Sequence, residues 1–166
     1  MSTCYLDFDG VLHHGNVARG PRRSARMMET GHRLFEWAEV LGDALHSYPD
    51  VSIVLSTTWV RVWGYDRTRE YLPPVLRGRV VGATFHRREH GATRDMRELW
   101  AESARGVQIA LDIERRGPAR WFAIDDATDE FLPWQREWLV ACEGSMGLGA
   151  CDAQQQLREM LRKVHV

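Results

Sequence analysis

Five short apolar runs are spaced along the chain, and polar or amphipathic stretches separate them. Runs of about four to eight apolar residues, rich in branched and aromatic side chains, are typical of buried strands, because helices need longer segments. The pattern therefore predicts five strands. They are expected at Cys4–Leu6, Val51–Leu55, Val80–Phe85, Trp121–Ile124 and Trp138–Cys142.

The stretches between the runs carry the periodicity of helices. Leu34, Trp37, Ala38, Leu41 and Leu45 recur at steps of three and four residues, which predicts an amphipathic helix over residues 31–47. A strand, a crossover helix and a second strand form a βαβ unit, and such units build parallel sheets. The chain is thus predicted to be an α/β protein. Further helices are predicted over residues 66–72 and 106–116. A last helix is predicted from Asp152, because Asp152-x-x-Gln155 resembles a capping box. Residues 94–104 fit either a helix or an irregular loop.

Acidic and hydroxyl side chains follow three of the predicted strands directly. Asp7 and Asp9 are spaced i, i+2, so they start on the same face of an extended chain. Ser56 follows the second strand, and Asp125 and Asp126 follow the fourth. Open α/β sheets bind ligands at the carboxyl ends of their strands. Since carboxylates held close together are costly unless a cation separates them or one keeps a proton, this edge is the candidate site.

These motifs resemble those of the haloacid dehalogenase (HAD) superfamily. The stretch Asp7-Phe8-Asp9-Gly10-Val11-Leu12 is similar to the first motif, Asp-x-Asp-Gly-(Val/Thr)-Leu, and the other three follow in order from Ser56 through Arg105 to Asp125. The resemblance spans about residues 4–130. It implies a three-layer, Rossmann-like (HAD-like) five-stranded sheet in the order 3-2-1-4-5. It also implies a hairpin flap near residues 13–21 and little or no cap.

The resemblance also implies a magnesium-dependent chemistry. Asp7 would be the nucleophile that forms an aspartyl-phosphate. Asp9 would protonate the leaving group, deprotonate the attacking water and offer its backbone carbonyl to Mg²⁺. Asp7 and Asp125 would bind the metal, with Asp126 either a direct ligand or an acceptor behind it. Mg²⁺ prefers such oxygen ligands, and a cation shields the phosphoryl oxygens from an anionic nucleophile.

Ser56 and Arg105 are the expected phosphate contacts of the second and third motifs. Ser56 would hydrogen-bond a phosphoryl oxygen beside the Thr57 amide. Thr57 or Thr58 would take this role if the strand ended one residue later. The structural alternative is a hydroxyl that only ends the strand and binds no phosphate. The family usually has lysine at the third motif, but arginine keeps the charge and adds a bidentate fork. The alternatives to Arg105 are Arg87, Arg88, Arg94 and Arg115.

Aromatic and imidazole side chains flank the motifs. Trp59 and Trp63 lie on either side of Arg61, and an aromatic ring among arginines could stack on a base or sugar of the substrate; core packing is the alternative. His13 and His14 lack further ligands at a metal-binding spacing, which favours loop histidines over a metal site. A contact from one of them to the phosphate or leaving group is a second hypothesis.

Composition adds a location and a charge pattern. The 166 residues are 44% hydrophobic and 27% charged, which predicts one globular domain over residues 1–166. No apolar run approaches the ~18 residues of a membrane span, no secretory signal precedes the first strand and the three cysteines lack metal spacing, so a cytoplasmic protein is expected.

The middle of the chain is basic, since residues 61–105 carry ten arginines and six acids. This excess is either a solvated helical surface or a rim that attracts a phosphate-rich substrate.

The leading hypothesis is therefore a magnesium-dependent phosphohydrolase. The Leu-Ser-Thr-Thr-Trp and Ile-Asp-Asp patterns resemble the HAD domains of nucleic-acid repair proteins, including the phosphatase halves of polynucleotide kinases. That likeness implies a nucleic-acid end or a nucleotide as substrate. A phosphatase for small sugar phosphates or nucleotides, and a HAD-fold binding module without catalysis, are the alternatives. The sequence leaves open whether residues 61–104 fold over the site.

Overall fold

A five-stranded parallel sheet lies at the centre of the computed structural model, which describes residues 1–20 and 24–165. Its strands are β1 (Ser2–Leu6), β4 (Val51–Leu55), β5 (Val80–Ala83), β6 (Arg120–Asp125) and β7 (Leu139–Ala141). They pair in the order β5-β4-β1-β6-β7, which is 3-2-1-4-5 along the chain. The predicted α/β, Rossmann-like architecture and its strand order are confirmed.

A two-stranded antiparallel hairpin separates β1 from β4 in the chain. It consists of β2 (Val17–Gly20) and β3 (Ser24–Met27), with Val17 opposite Met27. The predicted flap over residues 13–21 is therefore a longer hairpin, and its last predicted residue, Pro21, lies outside the described residues.

Helices cover the sheet and fill the connection between β4 and β6. The segment 61–104, whose structure the sequence left open, contains four short helices, the strand β5 and one longer helix. The helices are α1 (Ala38–Leu45), α2 (Trp59–Trp63), α3 (Tyr65–Glu70), α4 (Pro74–Arg77), α5 (Arg87–His90), α6 (Arg94–Glu102), α7 (Arg105–Arg116) and α8 (Cys151–His165), with 3₁₀ turns at Thr128–Glu130, Pro133–Trp138 and Gly147–Gly149. No helix in the described ranges is long and apolar enough to cross a membrane.

Two helix starts differ from the prediction. The helix predicted over residues 31–47 begins only at Ala38, because Phe35 has a φ of 58°, which a right-handed helix cannot contain. The Phe35 ring instead packs edge-on against Phe8, with ring centroids 5.2 Å apart. The last helix begins at Cys151, so Asp152 lies within its first turn and is not the predicted cap.

The core lies on both faces of β1, which is buried along its whole length. One face packs Cys4 and Leu6 into the larger apolar cluster, and the other packs Tyr5 against Ile109 of α7. The Tyr5 hydroxyl donates to Asp112 over 2.9 Å. A continuous apolar strand at the centre of the sheet is what the buried run at the start of the sequence predicts.

Candidate active site

Three carboxylates meet at the carboxyl edge of the sheet. Asp7 follows β1, and its backbone N–H donates to the Ile124 carbonyl of the neighbouring strand β6 over 3.2 Å. Asp125 ends β6, and Asp126 is the next residue. One carboxylate oxygen from each of these three acids lies within 4.8 Å of the others. Parallel pairing of β1 with β6 therefore brings together acids that are more than a hundred residues apart in the chain.

Arg105 places a cation beside this acid cluster. It is the first residue of α7, and its guanidinium lies 3.4 Å from Asp7 Oδ2 and 3.1 Å from Asp125 Oδ2. Burial alone lowers the pKa of an arginine, but the charges of Asp7 and Asp125 outweigh it, so the pKa of Arg105 is raised and the group stays charged. The residue predicted for the third motif thus contacts the acids of the first and the fourth.

Burial and mutual repulsion make the acids hard to ionise. Burial, with a contribution from Asp9, raises the pKa of Asp7 despite the attraction of Arg105. Burial and the nearby Asp7 raise the pKa of Asp125 to about 8 and that of Asp126 to about 6. Clustered acids with raised pKa values are typical of sites that bind a cation, because a cation allows all of them to ionise together.

The donor set fits a magnesium ion. Asp125 Oδ2 is buried and pairs with the charge of Arg105 at 3.1 Å, without an aligned hydrogen bond among the described residues. The three carboxylates converge within 4.8 Å, and Mg²⁺ commonly takes one or two carboxylates together with waters and substrate oxygens. Asp7, Asp125 and Asp126 would supply such oxygens, as the sequence predicts.

The backbone of two glycines closely approaches the Asp126 carboxylate. A Cβ atom on Gly10 would lie 2.1 Å from Asp126 Oδ2, and one on Gly144 would lie 2.9 Å from the same oxygen. Gly10 also has a φ of 72°, a conformation that other residues rarely adopt. The Asp126 carboxylate therefore lies between two backbone segments that approach it closely because they lack side chains.

Ser56 and Thr57 follow β4 at the same edge of the sheet. The Ser56 backbone N–H donates to the Leu6 carbonyl over 2.9 Å, which places its side chain one strand away from Asp7. The Ser56 hydroxyl is buried without a hydrogen-bond partner among the described residues. Thr57 accepts the Trp59 backbone N–H and also hydrogen-bonds Asp7, which lowers the pKa of that acid. An unpartnered buried hydroxyl is costly unless a ligand completes it.

Asp9 is held by two side chains that the sequence did not connect with it. The Trp59 indole N–H lies 3.0 Å from each Asp9 carboxylate oxygen, and His13 Nε2 lies 2.9 Å from Asp9 Oδ1. The backbone N–H of Phe35 donates to His13 Nδ1 over 3.1 Å. His13 Nδ1 is therefore an acceptor, and Nε2 carries the proton that is donated to Asp9. We name His13 and Trp59 the Asp9 clamp.

The clamp bears on two predictions. Trp59 is only 2% exposed and packs within an aromatic cluster, which agrees with the core-packing alternative. It also borders the cleft beside Asp9, and its predicted role in substrate binding stays a prediction. His13 follows the first motif and is fully buried, and its hypothesised contact with the phosphate or leaving group stays a prediction. The Asp9 carboxylate lies outside the three-acid cluster, while its predicted backbone contact with a metal stays a prediction.

Arg61 lies at the junction of the cavities beside the site. It is half-buried on α2 and lines a cleft of about 190 Å³ together with Asp9, Arg19 and Trp63. It also lines a narrow cavity that Arg105 and Thr57 border. Its predicted role in substrate binding stays a prediction.

The comparison with known families decides the relationship of the chain. Residues 3–153 match the family described as HAD domain in Swiss Army Knife RNA repair proteins. The chain belongs to this HAD-domain family. The predicted HAD resemblance and its nucleic-acid repair type are thereby confirmed. Membership of a HAD family suggests a magnesium-dependent phosphohydrolase in general, in agreement with the acid cluster.

The comparisons with solved structures and curated proteins add nothing to the family assignment. The hypothetical protein XCC2798 from Xanthomonas campestris aligns with 99% of this chain and 86% of its own, at 13% identity and a TM-score of 0.43. A likeness of that size supports no conclusion about fold or function. No curated protein matches the chain.

Proposed function

We propose that this HAD domain is a magnesium-dependent phosphohydrolase that removes terminal phosphates from nucleic acids through an aspartyl-phosphate. The observation that carries the proposal is the convergence of Asp7, Asp125 and Asp126 around Arg105 at one sheet edge. Such a set can bind a cation, a phosphate and a nucleophile in the same place. A family described by RNA repair proteins supports the nucleic-acid substrate.

The residues divide the reaction between them. Asp7, Asp125, Asp126 and the Asp9 backbone carbonyl would hold Mg²⁺, which when bound neutralises the phosphoryl oxygens. An Asp7 carboxylate oxygen attacks phosphorus, and the bond to the leaving oxygen breaks as Asp9 donates a proton to that oxygen. Asp9 then takes a proton from water, whose oxygen attacks phosphorus and releases Asp7 and inorganic phosphate.

Arg105 and Ser56 stabilise the phosphoryl group during both steps. The guanidinium of Arg105 provides charge beside Asp7, and the free Ser56 hydroxyl can donate to a phosphoryl oxygen. The Asp9 clamp keeps the acid–base carboxylate in place. Arg105, Ser56 and the two clamp residues are buried, so their interactions with a developing charge are stronger than they would be in water.

Phosphate release from a substrate panel tests the proposal. The panel contains p-nitrophenyl phosphate, nucleotides, and oligonucleotides phosphorylated at the 3′ or the 5′ end, each with Mg²⁺ or with EDTA. We expect Mg²⁺-dependent release that Asp7→Asn abolishes while its far-ultraviolet circular dichroism is unchanged. Asp43→Asn, on the exposed side of α1, is the matched control.

Turnover that persists in Asp7→Asn would refute the nucleophile. Release from small phosphates alone would favour the small-molecule phosphatase instead of the nucleic-acid substrate. A folded protein that binds Mg²⁺ but hydrolyses nothing in the panel would favour a binding module.

A further inference from the structure

A large cationic groove lies beside the candidate active site, and the reaction described above does not use it. Its volume is about 670 Å³, in the range of sites for small ligands. We name it the arginine groove, because Arg61, Arg87 and Arg97 line it and none of its described lining residues is acidic.

The three guanidinium groups of the groove lack acidic partners. In the described ranges, no carboxylate lies within ion-pair distance of Arg61, Arg87 or Arg97. Arg97 donates to the Gly91 carbonyl over 3.0 Å, a contact that positions its head group without neutralising it. Like charges gathered around a concavity repel each other and raise the local concentration of anions. The groove is therefore built for an anionic ligand.

Shared walls connect the arginine groove with the active site. Arg61 and Phe85 line both the groove and the narrow cavity that Arg105 borders. Arg61 also lines the cleft that contains Asp9. A ligand whose terminal phosphate lies beside Asp7 can thus continue past Arg61 into the groove.

Aromatic side chains complete the groove. Trp63, Tyr65 and Phe85 line it together with the arginines. Each of the three packs against the core and stays partly exposed. Alternating cationic and aromatic groups are typical of surfaces that bind single-stranded nucleic acids, because the cations contact phosphates and the rings stack on bases of any identity.

We propose that the arginine groove is a second phosphate subsite, which binds the phosphodiester next to the terminal phosphate of a single-stranded nucleic acid. Arg61 and Arg87 contact this phosphodiester, and the neighbouring rings stack on its bases. The inference rests on the proposed function, since the terminal phosphate must occupy the site at Asp7. It makes the enzyme selective for polynucleotide ends over mononucleotides.

Substrate length tests the subsite. With Mg²⁺, wild-type kcat/KM is expected to rise about tenfold or more from a nucleoside monophosphate to a short single-stranded oligonucleotide with the same terminal phosphate. Arg87→Gln is expected to reduce this preference about tenfold, and to lower the slope of log affinity against log salt by about 0.7. Arg88→Gln, an exposed neighbour that does not line the groove, is the matched control. Equal kcat/KM for mononucleotide and oligonucleotide, or equal effects of the two variants, would overturn the subsite.

Binding separates failure of the subsite from failure of the catalytic proposal. Fluorescence anisotropy of a labelled, terminally phosphorylated oligonucleotide needs no turnover, and the Asp7→Asn background prevents hydrolysis. Weaker binding in Arg87→Gln than in Arg88→Gln supports the groove even if no phosphate is released. Equal affinity of both variants overturns the groove, even if p-nitrophenyl phosphate is hydrolysed and the phosphohydrolase stands.

Discussion

Replacing Trp59 with phenylalanine should impair catalysis selectively for substrates that need a proton on the leaving oxygen. The substitution removes the indole N–H that lies 3.0 Å from both Asp9 oxygens, while it keeps an aromatic ring in the cluster. A hydrogen bond to a charged group contributes about 1.5–3 kcal/mol. The Asp9 side chain is 33% exposed and keeps its bond to His13, so we expect the lower end, a loss of about tenfold in rate.

The assay compares two leaving groups. Nitrophenolate departs without a proton, whereas the alkoxide of a nucleotide needs one from Asp9 in the first step. Trp59→Phe should therefore lower kcat/KM about tenfold for a nucleoside monophosphate and much less for p-nitrophenyl phosphate. Trp121→Phe, at the opposite end of β6 from Asp125, is the control for the loss of ring volume.

Stability must be measured on the same samples. A smaller ring in a buried cluster leaves a cavity, and we expect roughly 1–2 kcal/mol of lost unfolding free energy in Trp59→Phe. An equal loss of kcat/KM for both substrates would show that Trp59 only supports the fold. No loss for either substrate would remove the clamp from the mechanism.

Two further predictions concern Ser56 and the acid cluster. Ser56→Ala should lower kcat/KM at least tenfold, because a donor to the phosphoryl group is lost. The free energy of unfolding should stay equal or rise, because the buried hydroxyl has no partner to lose. Kinetics and urea unfolding test this, and a less stable variant would refute it. Burial raises the pKa of Asp125 to about 8, so the folded chain binds more protons than the unfolded chain between about pH 4 and pH 8, and the stability of the metal-free protein falls as the pH rises through that window. Mg²⁺ should therefore raise the thermal unfolding temperature more at about pH 8 than at about pH 5.5. In Asp125→Asn, Mg²⁺ should not raise it at all. Calorimetry with and without EDTA tests this, and a shift that is independent of pH would contradict it.

The strands could be predicted because the sheet is parallel and covered on both faces. Such strands read as largely apolar runs, and the run Val51–Leu55, which contains the single polar residue Ser52, has the bounds of β4. Which face of a helix is buried is harder to predict from the sequence. On α7, the apolar residues Val107 and Leu111 are 39% and 49% exposed. Asp112 is buried there instead, because Tyr5 and the arginines one turn later in the helix satisfy its charge. The arginines lie nearby in the sequence, but no local pattern reveals the distant Tyr5.

The sequence predicts those residues of the candidate site that directly follow a strand. The positions of Asp7 and Asp125 follow from the rule that carboxyl ends of parallel strands share one edge. The partners of Asp9 do not follow from it. Trp59 lies fifty residues from Asp9 in the chain, and only the path of the chain after β4 returns its indole to the first motif. The sequence signal for Trp59 is its place close after the hydroxyl motif, which fits either a substrate contact or core packing.

The two glycines around Asp126 restrict how this protein can be redesigned. A library that varies position 10 or position 144 adds a side chain into the space of the Asp126 carboxylate, and so varies the metal site without changing any acid. Engineering of new substrate preferences would do better to leave both positions fixed and to place its diversity in the hairpin. For the same reason, a search for functional relatives by acids alone is less selective than one that also requires both glycines.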